Sequence, residues 1–280
     1  MAMNSITLTA GMRQALFSSQ STSKLMDKTA SRLSSGLKVQ SALDDPINFF
    51  AAQGHRQRAT DLAQRKDEMG EAIQTVKAAN NGIEAITDLI ASAKSTAQSA
   101  QAIDATATTT TQDYKDRSAL LVQFETLRSQ IDELAQDSGY KGLNFLQQST
   151  MTVEFSENVG DANLKVVGFD GDSTGLSIDS ASGVWTTDAL ITAAIADLDN
   201  ARSTLRTKSK ELSNALSTIT TRQEFTAKMI NTLEDGAANL VNADMNEEGA
   251  NMLMLQTRQA LGTSSLSMAS QAAQSVLRLF

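Results

Sequence analysis

Cysteine is absent from this 280-residue chain, which removes thiol nucleophiles, disulfides and thiolate metal sites together. Proline occurs once, at Pro46, and histidine once, at His55. Proline is the strongest breaker of a helix interior, so its scarcity beside abundant Ala, Leu and Gln favours long uninterrupted helices. Aromatic residues make up 4% of the chain, with a single Trp at position 185. That argues against a thick core and for thin helix–helix seams filled by Leu, Ile, Met and Ala. The formal charge of −8 argues against nucleic acid as a partner, because phosphate binding rests on clustered Lys and Arg. The basic residues form no polybasic membrane patch, and no apolar stretch approaches the roughly 20 residues of a membrane span. Met1 to Leu16 carry polar residues every few positions and no signal-peptide core. By that test alone the chain reads as cytosolic.

Catalytic chemistry finds little to stand on. His55 lies beside Arg56, with no cysteine to pair with and nothing that nominates an orienting carboxylate, so it reads as a packed or solvated helix residue. No glycine-rich phosphate-binding pattern occurs. Asp170-Gly171-Asp172-Ser173-Thr174-Gly175 imitates the opening of a calcium loop. Its twelfth position is Ala181, where such a loop needs Glu, so it reads as an Asp/Gly hairpin turn. The pairs Asp44-Asp45 and Glu247-Glu248 fit helix starts, where carboxylates meet free N–H groups, better than acid–base work. The eleven methionines read as seam filler. No catalytic, cofactor or metal site is expected.

What the sequence has in quantity is period seven. Leu62, Met69, Val76, Ile83 and Ile90 are each seven residues apart, and Ala97 continues the row. A second row reads Ala72, Ala79, Ile86, Ala93 and Ala100. Together they form one narrow apolar seam on a long helix. Ile191, Leu198, Leu205, Leu212 and Ile219 repeat the spacing in the second half, and Leu120, Phe124, Leu127, Ile131 and Leu134 mark a third, shorter helix. A first helix from about Arg58 to Ile103 would be a rod about 70 Å long. Asp44 and Asp45 before Pro46 read as an acidic cap with Pro at the first helical position. The stretch from Asp104 to Gln112, with a run of four threonines at Thr108–Thr111, reads as a turn. Six of the fifteen glycines fall between about Lys141 and Thr187, where Thr152–Phe155, Leu164–Phe169, Gly175–Ile178 and Val184–Thr186 read as brief strands. The fold class is therefore mainly α: a long antiparallel helical bundle built from both chain ends, with a small β-hairpin region in the middle.

The two ends differ from the seams. Residues 1–40 are basic and residues 241–280 lean acidic, and both show helical spacing: Met26, Ala30, Leu33 and Leu37, then Met252, Leu255, Leu266, Ala269, Val276 and Phe280. Gly262 and many Ser and Gln residues make each a weak helix alone. An apolar terminus of Val276-Leu277-Arg278-Leu279-Phe280 needs something to bury it, and a polymer supplies that partner.

Two helical arms, a β-rich tip and two assembly-prone ends resemble the plan of bacterial flagellins, and particular residues carry the resemblance. Leu33-Ser34-Ser35-Gly36-Leu37-Lys38-Val39 with Ser41-Ala42 and Asp44-Asp45 is similar to the family motif L-S-S/T-G-x-R/K-[IV]-N-S-A-x-D-D. Leu240-Val241-Asn242-Ala243-Asp244-Met245 with Glu247-Glu248 resembles its L-V-D-A-D-x-x-x-E, and Leu255–Gly262 with Leu266–Gln271, Val276, Leu279 and Phe280 resembles the rest of its C-terminus. Tyr140-Lys141-Gly142 with Leu146 resembles the F-N-G-x-x-L element that opens the β-region. Lys141 stands for the family's Asn, Gln40 for another Asn, and Pro46 with Phe49-Phe50 for the small residues of D-D-A-A-G. The resemblance covers roughly residues 1–147 and 188–280.

It implies a structural subunit, not an enzyme, that polymerises into an extracellular flagellar filament for motility; a hook–filament junction protein shares both kinds of ends and is the alternative. The implied division is a terminal assembly domain (1–43 and 240–280), an inner rod domain (44–140 and 188–239) and a tip (141–187). Assembly then falls to Leu33, Leu37, Asp44, Asp45, Leu240, Asp244, Met252, Leu255, Leu266, Ala269, Val276, Leu279 and Phe280. The implied partners are further copies of the chain, the flagellar export machinery, a flagellin chaperone, and the filament cap and hook-junction proteins. Secretion by that machinery explains an extracellular protein without a cleavable signal. The ends are expected to be unstructured in monomer and helical in filament. Many flagellins are recognised by a Toll-like receptor through an Arg and a Leu of the first arm and a Glu on the next helix. At the matching places stand Ala91, Ser95 and Gln123, which implies weak or no receptor activation.

Overall fold

In a computed structural model, which describes residues 10–103, 112–157, 162–180, 185 and 187–277, five helices and one two-stranded sheet follow in the order α1 (Ala10–Ser35), α2 (Pro46–Gln101), α3 (Gln112–Asp137), β1 (Thr150–Glu154), β2 (Asn163–Val167), α4 (Asp188–Val241) and α5 (Met245–Leu277). The chain divides into two compact units, Met1–Gln57 with Thr232–Phe280, and Arg58–Asn231. The unit boundaries fall inside α2 and α4, about ten residues away from the domain limits read from the sequence.

In the Arg58–Asn231 unit the heptad rows are the core. Leu62, Met69, Val76, Ile83, Ile90 and Ala97 of α2 are all buried, as are Ala72, Ala79, Ile86, Ala93 and Ala100 of the second row. Ile191, Leu198, Leu205, Leu212 and Ile219 of α4 are buried with them. Lys94 Nζ reaches Asp199 at 2.6 Å, Ser209 Oγ donates to Asn80 at 2.8 Å, and Gln223 Nε2 donates to the carbonyl of Lys66 at 3.2 Å. These contacts fall in reverse order along the two helices, so α2 and α4 run antiparallel. α3 adds Phe124, Ile131 and Ala135, and Phe124 packs against Trp185 with ring centroids 5.1 Å apart. At about 25 cal/mol per Å² of apolar area, this continuous seam is the main stabilising term of the unit.

Local chemistry sets the ends of the elements. Helix α2 begins at Pro46, twelve residues before the start read from periodicity, because the heptad rows begin only at Leu62 whereas its cap lies earlier. Asp45 is that cap: its carboxylate accepts from the Asn48 N–H at 3.1 Å and from Asn48 Nδ2 at 2.7 Å. Gly82 lets α2 approach the end of α3, since a Cβ there would lie 2.2 Å from Ser138 Oγ. Arg117, at 2% exposure, donates to the carbonyls of Ala100 (3.0 Å) and Trp185 (3.3 Å) and to the Asp188 carboxylate. It ties the end of α2, the start of α3 and the start of α4 together.

The middle of the chain partly departs from the sequence reading. β1 and β2 form one antiparallel pair with Thr150 opposite Val167 and Glu154 opposite Asn163, so the expected strands at Thr152–Phe155 and Leu164–Phe169 are present but shifted by one to two residues. Gly175–Ile178 is not a strand. Asp172 accepts from the Gly175 N–H at 2.7 Å, and Ile178 N–H donates to the Ser173 carbonyl at 2.8 Å, which closes a compact turn. Leu176 and Ile178 are both buried, so alternating burial imitates a strand where turn-forming Asp, Thr and Gly prevent one. The Asp170–Gly175 turn accordingly does not join two strands of a hairpin; it follows β2. The readings of Asp104–Gln112 as a turn and Val184–Thr186 as a strand fall on positions that, apart from Gln112 and Trp185, lie outside the described residues.

Candidate functional site: the junction of the two chain ends

The unit Met1–Gln57 with Thr232–Phe280 brings together the two sequence motifs singled out at opposite ends of the chain. Helix α1 stops because Gly36 takes a left-handed φ of 72°, with its N–H on the Arg32 carbonyl at 2.8 Å. The chain then runs extended beside the end of α4. Lys38 N–H donates to the Val241 carbonyl at 2.7 Å, Ala243 N–H donates to the Gly36 carbonyl at 2.9 Å, and Leu37 bridges Asn242. Backbone groups that a helix end leaves unpaired are thus satisfied across some 200 residues of sequence. Beneath this clasp Val39, Ala52, Ala237 and Val241 form a small core, with Leu37, Phe49 and Leu240 packed against it.

Carboxylates organise the turns. Asp44 accepts from the N–H groups of Gln40 (3.3 Å) and Ser41 (3.2 Å) and from Ser41 Oγ, with Lys28 at 3.7 Å. Burial would raise its pKa, but the hydrogen bonds from Gln40 and Ser41 and the charge of Lys28 outweigh it and hold the carboxyl below its ordinary value. Asp244 caps α5, accepting from the N–H groups of Asn246 (2.8 Å) and Glu247 (3.2 Å). Gln40, where the family motif has Asn, is long enough to reach Ser31 and Ser35 on α1, at 2.9 and 2.7 Å.

Glu248 goes beyond the role read for it as a helix-start carboxylate. It is buried and accepts from Arg32 Nη1 at 2.7 Å, joining the start of α5 to the end of α1. Arg32 Nε is buried with no hydrogen-bond partner among the described residues. Sequence spacing gave no sign of this pair, whose members stand 216 positions apart; the surplus of basic residues at one end and acidic ones at the other was its one signal.

From that pair α1 and α5 run antiparallel, Leu25 lying beside Leu255 and Arg258. The terminal face therefore has a partner in its own chain, contrary to the reading that it lacks one. Leu255 is buried; Met252, Leu266, Ala269, Leu33, Leu37 and Leu240 are half-buried; Asp44 and Asp244 are exposed and Asp45 half-buried. Val276 belongs to α5, and Leu279 and Phe280 lie outside the described residues. Other apolar side chains remain exposed: Leu16, Phe17 and Leu25 on α1, and Leu253, Met254, Leu261 and Met268 on α5. Ala91 and Ser95 are exposed on α2, and Gln123 on α3.

Long paired helices, ends clasped backbone to backbone and an apolar surface left over on the terminal pair define a helical structural protein. The chain belongs to the bacterial flagellins: the family model of the bacterial flagellin N-terminal helical region matches residues 7–151, and that of the C-terminal helical region matches residues 189–280. It is 29% identical over 280 residues to flagellin FljK of Caulobacter vibrioides, covering all of both chains. It is 27% identical over 289 residues to a flagellin of Brucella melitensis, covering 99% of each. A solved flagellin of Bacillus cereus aligns at 14% identity and a TM-score of 0.47, over 57% of this chain and 88% of that one. The protein is a structural subunit of the flagellar filament, and the junction-protein alternative is not favoured. No helix among the described residues is long and apolar enough to cross a membrane.

Proposed function

We propose that the chain is exported unfolded by the flagellar machinery, with a flagellin chaperone engaging it beforehand, and folds its ends only on joining an extracellular filament. Hook-junction proteins would start that filament and a cap protein would cover its growing tip. In this reading residues 1–43 and 240–280 are the assembly domain, 44–140 and 188–239 the arms of the inner rod, and 141–187 the tip; the chain has no enzymatic role. One observation carries it. The terminal helices hold each other by a thin seam, while large apolar side chains such as Phe17 (63%), Leu261 (66%) and Met268 (63%) stay exposed. An isolated pair of weak helices gains little from so narrow a contact, and repetition along a heterologous, non-closing contact makes a filament.

The reading predicts that limited proteolysis of dilute monomer removes α1 and α5 and spares a core of about 200 residues, whereas polymer regrown from the same monomer protects them. Equal protection in dilute monomer would overturn it. Electron microscopy of the regrown polymer is the direct test of the function.

The same reading extends to the host. With Ala91, Ser95 and Gln123 in place of Arg, Leu and Glu, the chain lacks the charge-assisted contacts that anchor such interfaces. It is a weak or silent agonist of the flagellin-sensing Toll-like receptor. A receptor-reporter assay on purified monomer checks this, and potency equal to that of a flagellin carrying the full motif refutes it.

A further inference from the structure

The exposed side of α5, from Met254 at the rim of the α1 groove outward, carries chemistry that the buried seam and the clasp leave unused. Met254 and Met268 are 46% and 63% exposed and stand fourteen residues apart with Leu261 (66%) midway, so the three form a stripe at heptad spacing. At 100° per residue this stripe lies about a third of a turn round the helix from Leu255, the buried residue of the α1 seam. Helix α5 is thus apolar on more than one side, which is the pattern of a helix buried on more than one side, and α1 alone covers only one. Under the assembly reading just given, on which this inference rests, a second copy of the chain covers the stripe.

We infer that Met254 and Met268 are oxidation sites through which peroxide blocks assembly of the free subunit. A thioether sulfur attacks one peroxide oxygen, the O–O bond breaks, and an S=O bond forms. The sulfur gives up two electrons, and the departing hydroxide takes the remaining proton and leaves as water. Oxidation turns a flexible apolar side chain into a polar one, which a second copy then has to bury without a donor set in place to receive it. With no cysteine in the chain, exposed thioethers are its softest targets for such an oxidant. Met69, at 0% exposure in the other unit, supplies an internal reference that reacts last.

The test treats full-length monomer with hydrogen peroxide, maps sulfoxides by peptide mass spectrometry and measures the lowest concentration at which polymer sediments. Untreated protein must polymerise first; failure there counts against the assembly reading, not against this site. Sulfoxide at 254 and 268 is expected to raise the concentration needed by about tenfold or more, and methionine sulfoxide reductases restore the original value. The double variant Met254→Leu, Met268→Leu keeps apolar bulk, so it polymerises untreated and stays competent after the same exposure, although Met245 and Met252 still oxidise. Unchanged polymerisation of wild type carrying both sulfoxides, or equal loss in the double variant, overturns the inference.

Discussion

Arg117→Ala tests how the Arg58–Asn231 unit is held together where its three helices meet. The guanidinium is 2% exposed and serves three acceptors: the Ala100 carbonyl at the end of α2, the Trp185 carbonyl and the Asp188 carboxylate in the first turn of α4. The cation also sits where the α2 dipole ends, which favours positive charge. Truncation strands two carbonyls that were receiving charge-assisted hydrogen bonds and leaves a buried space next to Trp185. At about 1–3 kcal/mol for each stranded buried group, less what entering water recovers, the expected loss is about 3–4 kcal/mol. For a unit of this size about 2–4 °C is lost per kcal/mol, so the melting midpoint should fall by roughly 6–16 °C. Trp185 is the chain's one tryptophan and is buried at this spot, so its fluorescence reports the local environment while circular dichroism reports the helices. Arg117→Lys, which reaches fewer acceptors, should lose about half as much. A midpoint for Arg117→Ala within about 2 °C of wild type, with unshifted Trp185 emission, would show that water replaces the guanidinium at no cost and refute the reasoning.

Gly82→Ala should destabilise by about 1–3 kcal/mol although Ala is the better helix former, because its Cβ would meet Ser138 Oγ at 2.2 Å; adding Ser138→Gly should restore most of the loss, and a thermal double-mutant cycle measures it. Lys141 adopts a left-handed φ of 49° where the family motif has Asn, and it pairs with Glu71 at 2.8 Å. The hydrogen bond from Lys141 holds Glu71 below its ordinary 4.5, and the same bond holds Lys141 above its ordinary 10.5. A depressed carboxylate contributes stability above the unfolded value that is lost as pH falls through the folded one, and a raised lysine contributes below its unfolded value and loses it at high pH. Glu71→Gln should therefore melt below wild type at pH 7, with a deficit that shrinks as pH falls through the folded value of Glu71; a deficit unchanged down to acid pH would deny the pair its role. Leu266→Asp places a charge at a half-buried position of α5, where an unpaired one becomes costly once a neighbouring copy buries it. It should abolish polymerisation while leaving the melting of the Arg58–Asn231 unit intact, and polymer at the wild-type concentration would show that this position does not matter for assembly.

The long helices, their antiparallel seam and the capped start of α2 are legible in the residue order alone. Each of these is written in local terms: a heptad places Leu62 to Ile90 on one face whatever lies opposite, and Asp45 before Pro46 starts a helix by hydrogen bonds within one turn. The family motifs around Gly36 and Asp244 were legible for the same reason, since left-handed glycines and capping aspartates act on neighbours a few residues away. Which distant groups meet is visible only in the folded chain. The Arg32–Glu248 pair, the buried Arg117 with its three acceptors, and the clasp of Lys38 on Val241 leave no periodic trace, because each joins residues whose separation along the chain is arbitrary. Gly175–Ile178 misled for the converse reason: Leu176 and Ile178 alternate as a strand would, yet a turn closed by Asp172 buries both. The terminal helices show the boundary most clearly. Their apolar residues announced that burial was needed, but spacing could not say by what. Three-dimensional packing assigned Leu255 and its neighbours to α1, left Met254 at the rim of that groove and left Leu261 and Met268 exposed, since a single partner helix covers only one side of another.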